Sequence, residues 1–233
     1  MVDMGLGREG TFCWMDVKTR DVAGTGAFLT EVFGWSAAVD ESDWRRATTV
    51  SAKGRPVGTL SDLSLPVYPP GTPAHAAFYL RVTDVDRRAR AAAAAGGRVL
   101  LPPFDAGDQG RIATLLDVAG AAFSLWEPPA DRGWHYPDRT AGLPARMVLA
   151  CERPAEAEKF YRALLGEAPA RCDFVAGAHP GPAQWQCTIS VDDPAAVADR
   201  ARRLAPATNP PGKPEVSTPE GVTFALTPTA AEN

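Results

Sequence analysis

The sequence predicts an α+β fold in which strand–helix passes lead into further strands. Three observations carry that prediction. Short segments alternate apolar and polar residues with the period of a half-buried strand. Several of them run into a helical segment, two of which close on a glycine. The same order recurs along the chain, as an internal repeat. A length of 233 residues leaves room for one large domain or two small ones.

The first copy opens with the strand TFCWMDV, Thr11–Val17. The turn KTRD passes into VAGTGAFLTEVFGW, an amphipathic helix ending at Gly34. Gly24 and Gly26 weaken this helix by about 1 kcal/mol each relative to alanine. The second copy opens with ARMVLAC, Ala145–Cys151, followed by ERP and the helix AEAEKFYRALLG. Pro154 suits a first helical turn and Gly166 a left-handed C′ position. Further along, AAFYLRVTDVD precedes the helix RRARAAAAAGG, and QCTISVDDP precedes AAVADRARRL. Each copy ends in a glycine-led strand, GAAFSLWEP at Gly120–Pro128 and GVTFALTP at Gly221–Pro228. ADRGWHYPDRTAGLP, rich in Gly, Pro and Asp, reads as a linker. The division is therefore 10–128, a linker at 129–144, and 145–228. The stretch from Gly166 to Gln184 is less than half as long as that from Gly34 to His75. One or two strands of the second copy must be short or missing.

Composition removes several function classes. A hydrophobic share of 45% with 22% charged residues is ordinary for a globular protein. No apolar run approaches the ~20 residues of a membrane helix, and MVDMGLGREG has no apolar signal core. A cytoplasmic protein is expected. The four cysteines are far apart, which argues against a zinc ribbon and gives no disulfide framework. The net charge of −4, with no basic patch, argues against nucleic acid. Dinucleotide, Walker and GxSxG motifs are absent, so no nucleotide cofactor and no acyl-transfer nucleophile is supported.

The segments CWMDVKTRDVAGTGAFLTEVFGW, FYLRVTDVDRRARAAAAAGGRVLLPPFDAGDQGR and LLDVAGAAFSLWEP resemble the vicinal oxygen chelate superfamily of glyoxalases, bleomycin-resistance proteins and extradiol dioxygenases. The GDQGR…GAAFSLW stretch is the most specific part. The resemblance covers residues 10–128 well and 145–228 faintly, and is strongest to the tandem type common in actinobacteria. It implies two βαβββ modules, the second degenerate, pairing into a curved, mostly antiparallel sheet cup with the site inside.

Strand alternation selects the residues for that site. Phe12, Trp14 and Asp16 share one strand face, opposite an apolar face of Cys13, Met15 and Val17 that should meet a helix. Tyr79 opposes Phe78 and Leu80. Ser124 and Trp126 oppose Phe123 and Leu125. Arg146 opposes Met147 and Leu149, while Gln186 and Thr188 oppose Cys187 and Ile189. A sheet with one solvated face gives the same alternation; the resemblance assigns this face to a ligand.

In the superfamily, metal ligands occupy set strand positions. The resemblance places them here at Trp14, Ala77, Ser124, Arg146, Gln186 and Ala225, which offer almost none of the lone pairs a divalent metal needs. A register two residues off would offer Asp16 and His75, but Glu127 has the wrong parity. No metal and no other cofactor is expected.

Acid–base chemistry would fall to Asp16 as base, Tyr79 as proton donor, His75 as proton shuttle and Arg146 as oxyanion partner. The plainer alternatives are an Asp16–Arg pair inside the cup and a solvated His75 at a strand end. Phe12, Trp14, Ser124, Trp126, Gln186 and Thr188 would line a ligand site, with Trp35 and Trp44 as further flat surfaces. Aromatic walls favour a planar aromatic ligand.

Two functions follow. One is a metal-independent protein that binds an aromatic, polyketide-like molecule, for resistance by sequestration or as a biosynthetic accessory. The other is a metal-independent cyclase, isomerase or lyase. A metal-dependent lyase or dioxygenase is the weakest reading. A small-molecule ligand is the expected partner, nucleic acid and membrane are not, and monomer and homodimer both remain open.

Overall fold

The computed structural model describes residues 8–41, 47–129, 132–137, 139–177, 182–212 and 214–229. Trp44 lies outside them. The elements run β1 (Phe12–Thr19), α1 (Val22–Phe33), β2 (Ser36–Val39), β3 (Thr48–Ala52), β4 (Arg55–Asp62), β5 (His75–Arg81), α2 (Val85–Ala94), β6 (Arg98–Asp105), β7 (Arg111–Leu116) and β8 (Ala122–Glu127). They continue with β9 (Pro144–Cys151), α3 (Pro154–Leu165), β10 (Cys172–Ala176), β11 (Trp185–Val191), α4 (Pro194–Leu204), β12 (Glu215–Ser217) and β13 (Thr223–Pro228).

The α+β class is borne out. An eight-stranded mixed sheet has the order β2-β3-β4-β1-β5-β8-β7-β6, and a five-stranded one β10-β9-β11-β13-β12. Each sequence copy makes two strand–helix passes. The first copy supplies every strand of the larger sheet and the second every strand of the smaller. The missing strands fall where the chain between Gly166 and Gln184 is short: among the described residues, only β10 stands between α3 and β11.

Local signals set the helices. Asp21 caps α1 by accepting from the Gly24 amide at 2.8 Å, and Asp84 caps α2 through the Arg87 amide. Gly34 and Gly166 end α1 and α3 at φ 71° and 91°, values that side-chain-bearing residues rarely adopt. Pro154 begins α3.

The chain folds as two compact units, each drawing on both copies. The first comprises residues 1–14, 78–136 and 146–186. In it the apolar face of β5, β7 and β8 (Phe78, Leu80, Ala113, Leu115, Phe123, Leu125) is fully buried, and Phe123 stacks on Phe160 and Tyr161 of α3. The second comprises residues 15–77, 137–145 and 187–233. Here Phe33 and Trp35 pack together at a tilt and both meet Phe224 edge-on. Trp35 donates its indole N–H to the Gly142 carbonyl at 2.6 Å, so it is core rather than ligand surface.

Two features go beyond the reading of the sequence. Residues 132–136 of the stretch read as a linker are fastened down within the first unit. Trp134 and Tyr136 are each only 2% exposed, and the Trp134 amide donates to the Cys13 carbonyl. Strand β1 is covered on both faces rather than one: Phe12, Trp14 and Asp16 are as buried as Cys13, Met15 and Val17.

Candidate functional site

Within the first unit, register places a set of side chains on one sheet face. Tyr79 of β5 lies opposite Ser124 of β8, and Ser124 opposite Thr114 of β7. Ile112 lies opposite Trp126. Directly paired residues point to the same side, and the hydroxyls of Thr114 and Ser124 meet at 3.0 Å. Trp14 reaches this face from β1, its ring 5.9 Å from that of Trp126. Tyr79 stands edge-on to Trp126 at 5.8 Å. Trp14 and Trp126 are largely buried against Cys13, while Tyr79 and Ile112 remain half-exposed. Trp126 is oriented by its indole N–H, which donates to the Gln109 carbonyl at 2.6 Å. That carbonyl sits in the Gly107–Gln109 turn, closed by Gly110 at φ 86°. The GDQGR motif thus shapes a turn that aims an aromatic side chain, and Arg111 ties the turn to α2 through Asp86 and to the end of β6 through Asp105.

Within the second unit, Asp16 is 1% exposed and held by charge and hydroxyls. Lys18 Nζ lies 2.5 Å from Oδ2, while Ser61 Oγ and Thr59 Oγ1 donate to Oδ1 at 2.7 and 3.1 Å. The parallel register of β1 with β4 places Thr59 beside Asp16 and Ser61 beside Lys18. The Lys18 ammonium also lies 3.3 Å from the Tyr68 hydroxyl and 4.9 Å from the centre of that ring. A pocket of about 40 Å³ adjoins, lined by Ser61, Asp62 and Tyr68 among others. The expected Asp16–Arg pair is therefore an Asp16–Lys18 pair. Lys18 was legible as the next same-face residue on β1; Thr59, Ser61 and Tyr68 were not, because they depend on pairing across more than forty residues.

The remaining predicted residues have their own local settings. His75 begins β5, half-buried, with Nδ1 2.8 Å from the Pro73 carbonyl. Arg146 is engaged by Asp173 on β10 through both ends of its guanidinium, and that pairing holds the Asp173 carboxyl below its ordinary range. Phe12 packs on Trp185 at 4.8 Å, in the core of the first unit. Gln186 is half-buried on β11, and Thr188 is buried opposite Ala225. A separate pocket of about 250 Å³ in the first unit is lined by Ala119, Ala150, Cys151, Glu152, Arg153 and Pro182, among others, and by none of the predicted residues. Burial raises the Cys151 thiol above its ordinary range.

The donor set does not fit a divalent metal. Indoles stand at Trp14 and Trp126, and the Asp16 carboxylate already faces an ammonium and two hydroxyls. No group of three or more His, Cys, Asp or Glu side chains able to hold a metal occurs among the described residues.

Residues 13–125 match the family model of the Glyoxalase/Bleomycin resistance protein/Dioxygenase superfamily. CFP32 of Mycobacterium tuberculosis (strain CDC 1551 / Oshkosh), a candidate glyoxylase, is 29% identical over 218 residues, covering 83% of this chain and 82% of its own. The anthracycline biosynthesis protein DnrV of Streptomyces peucetius is 31% identical over 175 residues, covering 69% of this chain and 62% of its own. The Mn(II)-bound glyoxalase of Novosphingobium aromaticivorans superposes with a TM-score of 0.61 at 17% identity, over 96% of this chain and 83% of that one. Homoprotocatechuate 2,3-dioxygenase of Arthrobacter globiformis gives a TM-score of 0.64 at 11% identity, over 94% and 80%. At such identities the two solved structures show a shared fold.

Proposed function

Since the chain carries a domain of the glyoxalase/bleomycin resistance protein/dioxygenase superfamily, we propose that it is a metal-independent, cytoplasmic protein that binds a planar aromatic, polyketide-like molecule. The observation that carries this reading is the clustering of Trp14, Tyr79 and Trp126 on one sheet face. Aromatic contacts are worth about 0.5–1.5 kcal/mol each beyond the area they bury. Beside them, half-exposed Thr114, its hydroxyl bonded to that of buried Ser124, offers a polar group to a ligand carbonyl or phenol oxygen. The relationship to an anthracycline biosynthesis protein supports fused-ring polyketides as the ligand class. Sequestration for resistance and an accessory step in biosynthesis both fit such binding.

A second reading rests on Asp16. With Lys18, Thr59 and Ser61 around it, the Asp16 carboxylate is the candidate general base of the second unit, and His75 of the same unit is the candidate proton shuttle. The chain would then be a metal-independent cyclase, isomerase or lyase.

Titration of purified protein with a panel of fused-ring quinones, followed by tryptophan fluorescence and thermal shift, tests the first reading. A binder quenches the indoles and raises the melting temperature as its concentration exceeds Kd. Absence of any such ligand overturns the reading. Asp16→Asn separates the two: retained affinity with lost turnover supports the enzyme, whereas a wild type that binds without converting supports the binding protein.

A further inference from the structure

The edge strand β6 carries four exposed apolar side chains, Val99, Leu100, Leu101 and Phe104, at 36–49% exposure. Exposed apolar residues on a strand normally divide between two faces. Here the pairing with β7 is irregular at two places: Val99 lies opposite Leu115, Leu101 opposite Thr114, and Phe104 opposite Ile112. Thr114 and Ile112 are two residues apart and share a face. Leu101 and Phe104 are three apart and would ordinarily point oppositely. The bulge between them, which contains Pro102 and Pro103, absorbs the extra residue and turns both to the side of Thr114 and Ile112. The prolines offer no amide there, so this edge is poorly equipped to recruit another strand.

Two cross-strand rows result. One runs Leu101, Thr114, Ser124, Tyr79; the other runs Phe104, Ile112, Trp126. The geometry points to Leu101 and Phe104 as specificity-determining residues, an apolar shelf that extends the Trp14–Tyr79–Trp126 face outward and selects ligands with more than two fused rings. The inference rests on the aromatic-ligand reading above and adds ring count to it. A two-ring system is spanned by the inner cluster. A four-ring system extends over β7 to the edge strand, where Phe104 and Leu101 cover its outer rings. A flat ligand is the occupant that fits, because the shelf continues a face already lined by aromatic rings.

The test compares Phe104→Ser/Leu101→Ser with wild type for binding of a two-ring naphthoquinone and a four-ring anthracyclinone. Both side chains are exposed, so the variant keeps its core; circular dichroism checks this. Its affinity for the four-ring probe is expected to fall about tenfold, the change that loss of roughly 50 Å² of apolar contact produces, with two-ring affinity unchanged. Equal loss for both probes, or no loss for either, overturns the shelf while leaving the aromatic-ligand reading standing. A wild type that binds neither probe overturns both. Sedimentation equilibrium supplies a further outcome: a dimer that becomes monomeric in the variant, with ring selectivity unaltered, assigns the patch to contact between copies and overturns the inference.

Discussion

Replacing Tyr161 by phenylalanine removes a single oxygen from the core of the first unit, and the structure gives the cost. That hydroxyl donates to Asp117 Oδ2 at 3.0 Å and accepts the indole N–H of Trp185 at 2.7 Å. Tyr161 is fully buried, Trp185 is 5% exposed and Asp117 is 5% exposed, so water cannot replace the lost partner. Asp117 keeps the Ala119 and Ala121 amides, at 2.8 and 2.9 Å. Trp185 loses the acceptor of its indole N–H. At about 1–3 kcal/mol for a buried group left unsatisfied, and less for the carboxylate that retains two donors, the sum is roughly 2–4 kcal/mol. At ~2–4 °C per kcal/mol for a chain of this size, the melting temperature should fall by about 5–15 °C. The loss should also depend on pH. Burial raises the Asp117 carboxyl above its ordinary 3.8, and the Tyr161 bond works against that rise. A raised carboxyl stabilises the fold fully below the unfolded value and loses that stabilisation as pH rises through the folded one. Without the Tyr161 bond the folded value rises further, so the deficit of Tyr161→Phe should be larger at pH 7 than at pH 4. Thermal unfolding followed by circular dichroism at both pH values measures it. A fall of less than about 2 °C at pH 7, or a deficit that shrinks on going from pH 4 to pH 7, would refute the reasoning.

Other expectations follow from the same geometry. Gly110→Ala drives a Cβ into the Glu127 carbonyl oxygen at a positive φ; denaturant unfolding should show a loss of about 1–3 kcal/mol from the backbone conformation alone. Quinone affinity should fall with it, because the turn aims Trp126. Trp14→Ala should weaken quinone binding at least tenfold by fluorescence titration, roughly the worth of one aromatic contact with its buried area; unchanged affinity removes Trp14 from the site. Chelator treatment should leave melting temperature and quinone affinity unchanged, and elemental analysis should find only substoichiometric metal. A tightly held stoichiometric ion would instead revive the metal-dependent reading. Glu220 accepts from Thr19 Oγ1 and the Arg20 amide, and its carboxyl sits below its ordinary 4.5. Its contribution should be present above pH 4.5 and lost as pH falls further, so the stability gap between wild type and Glu220→Gln should narrow in acid.

Periodicity and punctuation in the sequence determined much of this molecule. Alternation in FCWMDV and AFSLWE assigned Trp14 and Trp126 to the faces they occupy. Asp21, Pro154, Gly34 and Gly166 marked helix ends, because capping acts within a single turn of chain. The sequence also carries no imidazole or carboxylate at the strand positions where the resemblance puts metal ligands. Pairing was not, since alternation tells which side a residue faces but never which strand lies beside it. The Lys18, Thr59 and Ser61 partners of Asp16, the engagement of Arg146 by Asp173, the burial of Trp134 and Tyr136 in an apparent linker, and the Asp117–Tyr161–Trp185 chain all join residues distant in sequence. The bulge that turns Phe104 toward Ile112 shifts register by one residue, which reverses a face without altering composition. Such features arise only when backbone hydrogen bonds select one register among several of similar local merit, and that selection belongs to the tertiary structure.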